Sequence, residues 1–195
     1  MSQSVIEALD SFMQRFKHHG VTFPDIVTIG YDPKWPSECY QPSQDNEEGG
    51  TVSWQPVKRS PPANFSDLEH ALELTIHPDI KDYYSRYWSE NIYAYSEHGQ
   101  LQLLQAWNEE DFALLQQNLV GHILMKRRLR QPETLFFALT SQDDFILSID
   151  NQSGEVMLEQ VGLQPEKTIA PNLAVFLSAI EPSDGPPSET DTRLP

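Results

Sequence analysis

The chain has 195 residues, enough for one domain with short appendages, and an apolar share of 38% that suffices for a packed core. Thirteen Lys and Arg against 29 Asp and Glu give a formal charge of −16, which opposes autonomous binding to phosphate backbones or anionic lipid headgroups. The longest apolar run, Leu135 to Leu139, is far too short to span a bilayer. Met1-Ser2-Gln3-Ser4 begins no secretory signal, and the lone Cys39 can form no internal disulfide. These features describe a soluble cytoplasmic domain with a strongly negative field.

Residues 4 to 17 read as an amphipathic helix, with Val5, Ile6, Leu9, Phe12, Met13 and Phe16 at helical spacing. Its charges balance, so it is expected to dock on the protein's own core rather than lie on a membrane. From Phe23 to Pro62 the chain is proline-rich. Short strands are expected at Ile26 to Ile29 and Thr51 to Val57, with a proline-rich loop insertion at 31–50 between them, of which Gln41 to Gly50 reads as exposed loop. Ser66-Asp67-Leu68-Glu69 has the capping-box pattern and opens a short helix to about Leu74. Pro78 starts another helix, through about Trp88. Asn91 to Ser96 and Gln100 to Ala106 then form a hairpin across Glu97-His98-Gly99.

The clearest helix starts after the N-cap Asn108, with Glu109, Glu110 and Asp111 in its first turn. Phe112, Leu115, Leu119 and Ile123 are its buried stripe; Lys126, Arg127, Arg128 and Arg130 end it, and Pro132 stops it. Strands follow at Leu135 to Thr140, Asp144 to Ile149 and Glu155 to Gln160, and a closing helix follows Pro171. Past Glu181 the proline-rich, acidic composition predicts a disordered tail, residues 181–195. Hairpins alternating with helices define an α+β class: a single domain, residues 1–180, with a mainly antiparallel sheet packed by helices.

No phosphate-binding glycine loop, nucleophile elbow or metal-ligand spacing occurs, so the sequence gives no catalytic residue, no cofactor and no metal site. Two features remain. The basic cluster Lys126, Arg127, Arg128 and Arg130 complements the helix C-terminus, with lipid-facing contact as the functional alternative. The second feature is the window 79–111. It combines Asp79, Asp82, Glu90, Glu97, Glu109, Glu110 and Asp111 with only Lys81 and Arg86 as cations, and holds five of the seven tyrosines, Tyr87 and Tyr93 among them. One sign of charge steers an oppositely charged partner, and aromatic rings anchor it. The window is thus a candidate interface for a cationic peptide.

Several stretches resemble one known family: Trp54-Gln55-Pro56-Val57, LELTIHPDIKDYY (72–84), LLQAWNEEDF (103–112), QNLVGHILMKRRLRQPETLFFA (117–138), SGEV (153–156) and NLAVFL (172–177). In this order they are similar to the SecY-interacting Syd family of γ-proteobacteria. The resemblance implies a SUKH-like fold with a concave acidic face. It also implies a cytosolic protein, peripheral on the cytoplasmic side of the inner membrane, that docks on SecY in quality control of SecY complexes. The loop at 31–50 and the tail after Glu181 carry no resemblance.

The residues supply a reason for such a partner. Cytosolic loops of membrane proteins are rich in Lys and Arg, so an acidic protein is drawn to them while the anionic leaflet repels it. Partner binding is accordingly expected at Asp79, Asp82, Tyr87, Glu90, Tyr93, Glu97, Glu109, Glu110 and Asp111, with no nucleic-acid contact and the membrane reached only through SecY. The alternatives are an immunity protein that inhibits a basic toxin, and a hydrolase with an unrecognised site.

Overall fold

Ser4 opens the first helix, α1 (Val5–Thr22), through a reciprocal cap: its hydroxyl accepts from the Glu7 amide at 3.2 Å, while the Glu7 carboxylate accepts from the Ser4 amide at 2.9 Å. The computed structural model describes residues 4–41 and 47–186. Helix α1 outruns the 4–17 expected of it, because Gly20 continues its packing against Val27; a Cβ there would lie 2.8 Å from a Val27 methyl. Its buried stripe, Val5, Leu9, Phe12 and Phe16, faces the protein's own core, as expected.

The proline-rich stretch yields less regular structure than its sequence suggests. Pro24–Val27 is a 3-10 turn, which delays the first strand, β1, to Thr28–Gly30. Strand β2 (Thr51–Ser53) pairs with it, and β3 (Val57–Lys58) is separated from β2 by Pro56 and pairs with β4 (Tyr87–Trp88). Residues 35–39, between β1 and β2, are stitched down. Ser37 Oγ donates to the Trp107 carbonyl at 2.6 Å, Trp107 Nε1 donates to the Trp35 carbonyl at 3.3 Å, and Cys39 is buried. Residues 42–46 of the expected loop lie outside the described residues.

The capping box expected at Ser66 does not form. Helix α2 (Ser66–Leu72) begins one residue earlier, with Phe65 at the N-cap. Glu69 instead accepts from the Ile76 amide and from Lys81 Nζ, each at 2.9 Å. Helix α3 (Pro78–Arg86) is capped by its neighbour, the His77 ring accepting from the Asp79 amide. It stops short of Trp88 because Tyr87 and Trp88 extend to form β4.

The remaining elements are β5 (Ile92–Ser96), β6 (Gly99–Leu103), α4 (Glu109–Arg128), β7 (Thr134–Thr140), β8 (Phe145–Asp150), β9 (Val156–Gln160), β10 (Lys167–Ala170), α5 (Leu173–Ala179) and β11 (Glu181–Pro182). Seven strands make one antiparallel sheet in the order β10-β9-β8-β7-β6-β5-β11. Helix α1 packs on α5, α3 and β11, and α4 packs on β7. This is the α+β architecture read from the pattern. Besides β4, two strands, both in this sheet, lie outside the expected ones: β10, four residues after a proline-containing loop, and β11, inside the expected tail.

Glu181 and Pro182 pair with Tyr95 and Ala94, and Arg15 fixes the crossing by donating to the Ile180 carbonyl at 2.9 Å and pairing with Glu181 at 3.1 Å. The ordered domain therefore continues past residue 180; residues 187–195 of the tail lie outside the described residues. Among the described residues no helix is long and apolar enough to cross a membrane.

Candidate interaction surface

Joining β11 to β5 brings three distant segments around one groove of about 440 Å³. The 3-10 turn after α1 contributes Asp25, the link from β4 to β5 contributes Glu90, and the residues after β11 contribute Asp184. Tyr93 stands on one side, and Phe16, Trp54 and Ile92 give it an apolar floor. Among the described residues no lysine, arginine or histidine lines it.

The three carboxylates differ in environment. Glu90 is half-buried and accepts from the Asn91 amide at 3.0 Å. Burial pushes its carboxyl above the usual carboxylate range, and the nearby Asp111 charge adds to that. Asp184 is exposed and touches His19 Nε2 at 2.7 Å, so its charge is offset whenever that imidazole is protonated. Asp25 is exposed, and among the described residues it has no ion-pair partner. A cationic side chain entering here would meet two exposed carboxylates and one half-buried one beside aromatic rings, and attraction to the half-buried group exceeds its value in water.

Of the nine residues expected in the window 79–111, only Glu90 and Tyr93 line this groove. Tyr87 is buried, and its hydroxyl donates to Asp10 Oδ1 at 2.9 Å, so it is a scaffold residue, closed to a partner. Asp10 also accepts from Arg86 Nε at 2.8 Å and Lys58 Nζ at 3.2 Å, which holds its carboxyl far below the usual range. Asp79 and Asp82 sit together on α3; burial first, then the Asp79 charge, raises the Asp82 carboxyl. Glu97 is exposed at the β5–β6 turn, 3.5 Å from His98. Glu109 pairs with Arg59 at 2.7 Å and Glu110 is exposed, while Asp111 accepts from the Trp107 amide at 2.8 Å. Asp25 and Asp184, which complete the groove, escaped the sequence reading. No run of charge marks either of them, and only the β11–β5 pairing brings Asp184 close.

The basic cluster needs a sharper correction. Lys126 faces inward and is fully buried. Its Nζ lies 3.2 Å from Glu159 Oε1, which is equally buried, and donates to the Leu163 carbonyl at 2.9 Å and Gln131 Oε1 at 3.2 Å. Ser148 Oγ donates to Glu159 Oε2 at 2.8 Å, and His122 Nε2 lies 3.4 Å from Glu159 Oε1. Lys126 therefore cannot face lipid. Arg127 donates to the Leu72 carbonyl at 2.7 Å and pairs with Glu133, while Arg128 and Arg130 are exposed. Among the described residues no cluster of three or more His, Cys, Asp or Glu could hold a metal ion.

Comparison with known proteins gives a consistent result. A family model described as Syd protein (SUKH-2) matches residues 6–182. The chain is 57% identical over 183 residues to Protein Syd of Pseudoalteromonas atlantica, covering 94% of this chain and 98% of the relative. It is 42% identical over 182 residues to Protein Syd of Alteromonas mediterranea, covering 93% and 98%. Against Protein Syd of Colwellia psychrerythraea it is 40% identical over 189 residues, covering 92% of each.

Proposed function

The chain belongs to the Syd (SUKH-2) family, and from that premise we propose that it is a non-catalytic docking protein for the translocon subunit SecY. The groove of Asp25, Glu90 and Asp184 receives a basic cytosolic loop of SecY, and docking serves quality control of SecY complexes on the cytoplasmic side of the inner membrane. One observation carries this reading: a groove with three carboxylates, an aromatic-lined floor and, among the described residues, no lining cation.

The physics of the location agrees. Cytosolic loops carry excess Lys and Arg, and attraction between exposed charges extends only ~8 Å at physiological ionic strength. A chain of charge −16 is repelled by an anionic leaflet, so recruitment depends on the basic protein and not on the lipid. Complementary charge raises the association rate and selects the partner, while the apolar floor supplies contact area.

The test is recovery of SecY from detergent-solubilised inner membranes by the immobilised chain, at low and at high salt. Asp25→Lys, Glu90→Lys and Asp184→Lys, combined in a variant with a native circular dichroism spectrum, should abolish recovery at low salt. High salt should weaken the wild type in the same direction. Undiminished recovery by the folded variant would reject this placement of the site.

A further inference from the structure

Asp184 borders two clefts at once. It lines the acidic groove, and it also lines a neighbouring cleft of about 620 Å³ between α1, β11 and Tyr95 of β5. Among the described residues, this second cleft holds the cationic groups that the first lacks: Arg15, His18 and His19, all from α1. Arg15 and His19 stand one helical turn apart, and each faces an acid of the segment that follows α5. Arg15 Nε lies 3.1 Å from Glu181 Oε2, and His19 Nε2 lies 2.7 Å from Asp184 Oδ1. The first clamp is a permanent charge. The second rests on the side chain type whose charge changes near neutral pH.

The chemistry of that contact defines two states. An ionised carboxylate only accepts, so Nε2 carries a proton and a second proton enters at Nδ1. In the neutral state the ring is a hydrogen-bond donor, which tethers Asp184 beside the groove and leaves its negative charge uncancelled. In the protonated state the ring cancels that charge, and a lysine or arginine arriving from the groove meets a like charge across the same carboxylate. The His19 side chain is 25% exposed, open enough to exchange protons with water. Its ring packs on Phe23 with centres 4.6 Å apart, which restrains its orientation.

The other charged groups around His19 do not replace Asp184. On α1 itself, Arg15 and His18 oppose protonation of the ring; Glu181 of β11 favours it but is paired with Arg15. Strand β5 brings the Tyr95 phenol, and α5 brings no ionisable side chain. Asp25, on the 3-10 turn packed against α1, lines the groove and not this cleft. Helix α3 meets α1 through Arg86 and Asp10, more than two turns before His19. Among the described residues Asp184 is the only carboxylate paired with His19.

We infer that His19 is a proton-sensitive positioning residue for the acidic groove: neutral, it holds Asp184 at the rim with its charge available to a basic segment, and protonated, it takes that charge for itself and weakens the groove's hold on cations. The inference rests on the proposed reading of the groove as a receiver of basic segments, and adds its regulation.

The experiment titrates the full-length isotope-labelled chain with the blocked peptide acetyl-Lys-Ala-Lys-Ala-Lys-amide, whose charges are constant between pH 6 and 8. Nuclear magnetic resonance follows the Asn91 and Tyr93 amides, which border the groove. The wild type should bind more weakly at pH 6.0 than at pH 8.0. At pH 6.5, saturating peptide should move the His19 ring signals toward their high-pH positions, because the bound cation expels the ring proton. His19→Gln keeps an N–H donor for Asp184 and cannot become charged; its acid loss should be about threefold smaller, the size of one exposed ion pair. His19→Lys makes the charge permanent and should bind about threefold more weakly than the wild type at pH 8.0. Protonation of Glu90 adds an acid loss common to all three proteins, so the differences between them report on residue 19. A role confined to the C-terminal turn of α1 would alter thermal stability and none of these differences.

Equal acid loss in the wild type and His19→Gln, or His19 ring signals indifferent to the peptide, would overturn the inference. So would a peptide that leaves the Asn91 and Tyr93 amides still at pH 8.0. Groove-dependent SecY recovery alongside any of these results defeats only the proton-sensitive device. Recovery that survives reversal of Asp25, Glu90 and Asp184, with the His19 effects on the peptide intact, defeats only the assignment of SecY to this groove.

Discussion

Lys126→Met tests the buried network directly. The substitution keeps the length and apolar stem of the side chain but leaves the Glu159 carboxylate buried beside only Ser148 and His122. Removing one member of a buried ion pair costs about 3–5 kcal/mol, since the other charge stays behind unpaired. The lost bond to the Leu163 carbonyl adds little, because Leu163 is exposed and its carbonyl can turn to water. For a domain of this size that loss lowers the thermal midpoint by roughly 6–20 °C. Urea unfolding followed by circular dichroism measures it. Lys126→Met combined with Glu159→Gln removes both charges while Gln still accepts from Ser148, and should lie within about 1–2 kcal/mol of wild type.

The acid side of this prediction follows from His122. Burial, aided by Lys126, lowers its pKa, while Glu159 opposes that. Wild-type stability thus falls as pH drops below the free-histidine value of about 6.5, because the unfolded chain binds the proton more readily. In Lys126→Met the repelling cation is gone and Glu159 remains, so the His122 pKa rises and protonation supplies a replacement cation. The cost of the mutation should therefore be smaller at pH 5.5 than at pH 8. A single-mutant loss below about 1 kcal/mol, or a penalty that grows on acidification, would refute the assignment of Lys126 as the counter-charge of Glu159.

Two further outcomes follow from local geometry. Gly154 has φ of +78°, and a Cβ there would stand 2.6 Å from Nε2 of His77, the ring that caps α3; Gly162, at φ of +85°, has open space around it. Gly154→Ala should therefore cost about 2 kcal/mol or more and Gly162→Ala only about 1 kcal/mol, with equal values in thermal denaturation counting against a cap held by that contact. Glu90→Gln should stabilise the fold while weakening partner binding. The folded state takes up a proton at Glu90 more readily than the unfolded one, so wild-type stability declines as pH rises past the ordinary value of 4.5, and glutamine removes that decline. Unfolding midpoints of both proteins at pH 4.5 and 7.5 check it, and a decline of equal size in the variant contradicts it.

Helix α4 was legible at its start, because its cap and acidic first turn are local signals; it ends at Arg128, before the Arg130 expected in its last turns, whose φ of 56° is left-handed. The burial of Lys126 was not, since a charge run at a helix terminus ordinarily faces water. Its phase held the clue: Lys126 follows Leu119 by seven residues and Ile123 by three, which puts it on the buried stripe. The partner Glu159 lies on β9 and is found only through the sheet order. Glu90 and Tyr93 belong to the acidic aromatic window; its other members lie on α3, on β4, at the β5–β6 turn and at the start of α4, outside the groove. β11 was missed for a related reason. Two residues at the edge of a proline-rich acidic stretch have no periodicity, and they are held by Arg15 from the far end of the chain.

The distribution of paired charge gives the acidic groove its meaning. Among the described residues Arg15, Lys34, Lys58, Arg59, Lys81, Arg86, Lys126 and Arg127 are each ion-paired with a carboxylate. These pairs pin segments that are distant in sequence, Asp10 to Arg86 and Lys58, Arg59 to Glu109, Glu159 to Lys126. Cations are the scarcer charge in this chain, 13 against 29 acids, and the fold spends most of them internally. The surplus is therefore a surplus of acids without partners, and its location is a property of the folded chain. Asp25 and Glu90 belong to that surplus while lining one groove with Asp184. Since three separate segments supply these groups, the proposed recognition of a basic loop would depend on the pairing of β11 with β5 as much as on the carboxylates themselves. Net charge alone would attract any cation; a groove assembled this way favours the one whose side chains reach three fixed carboxylates over an apolar floor.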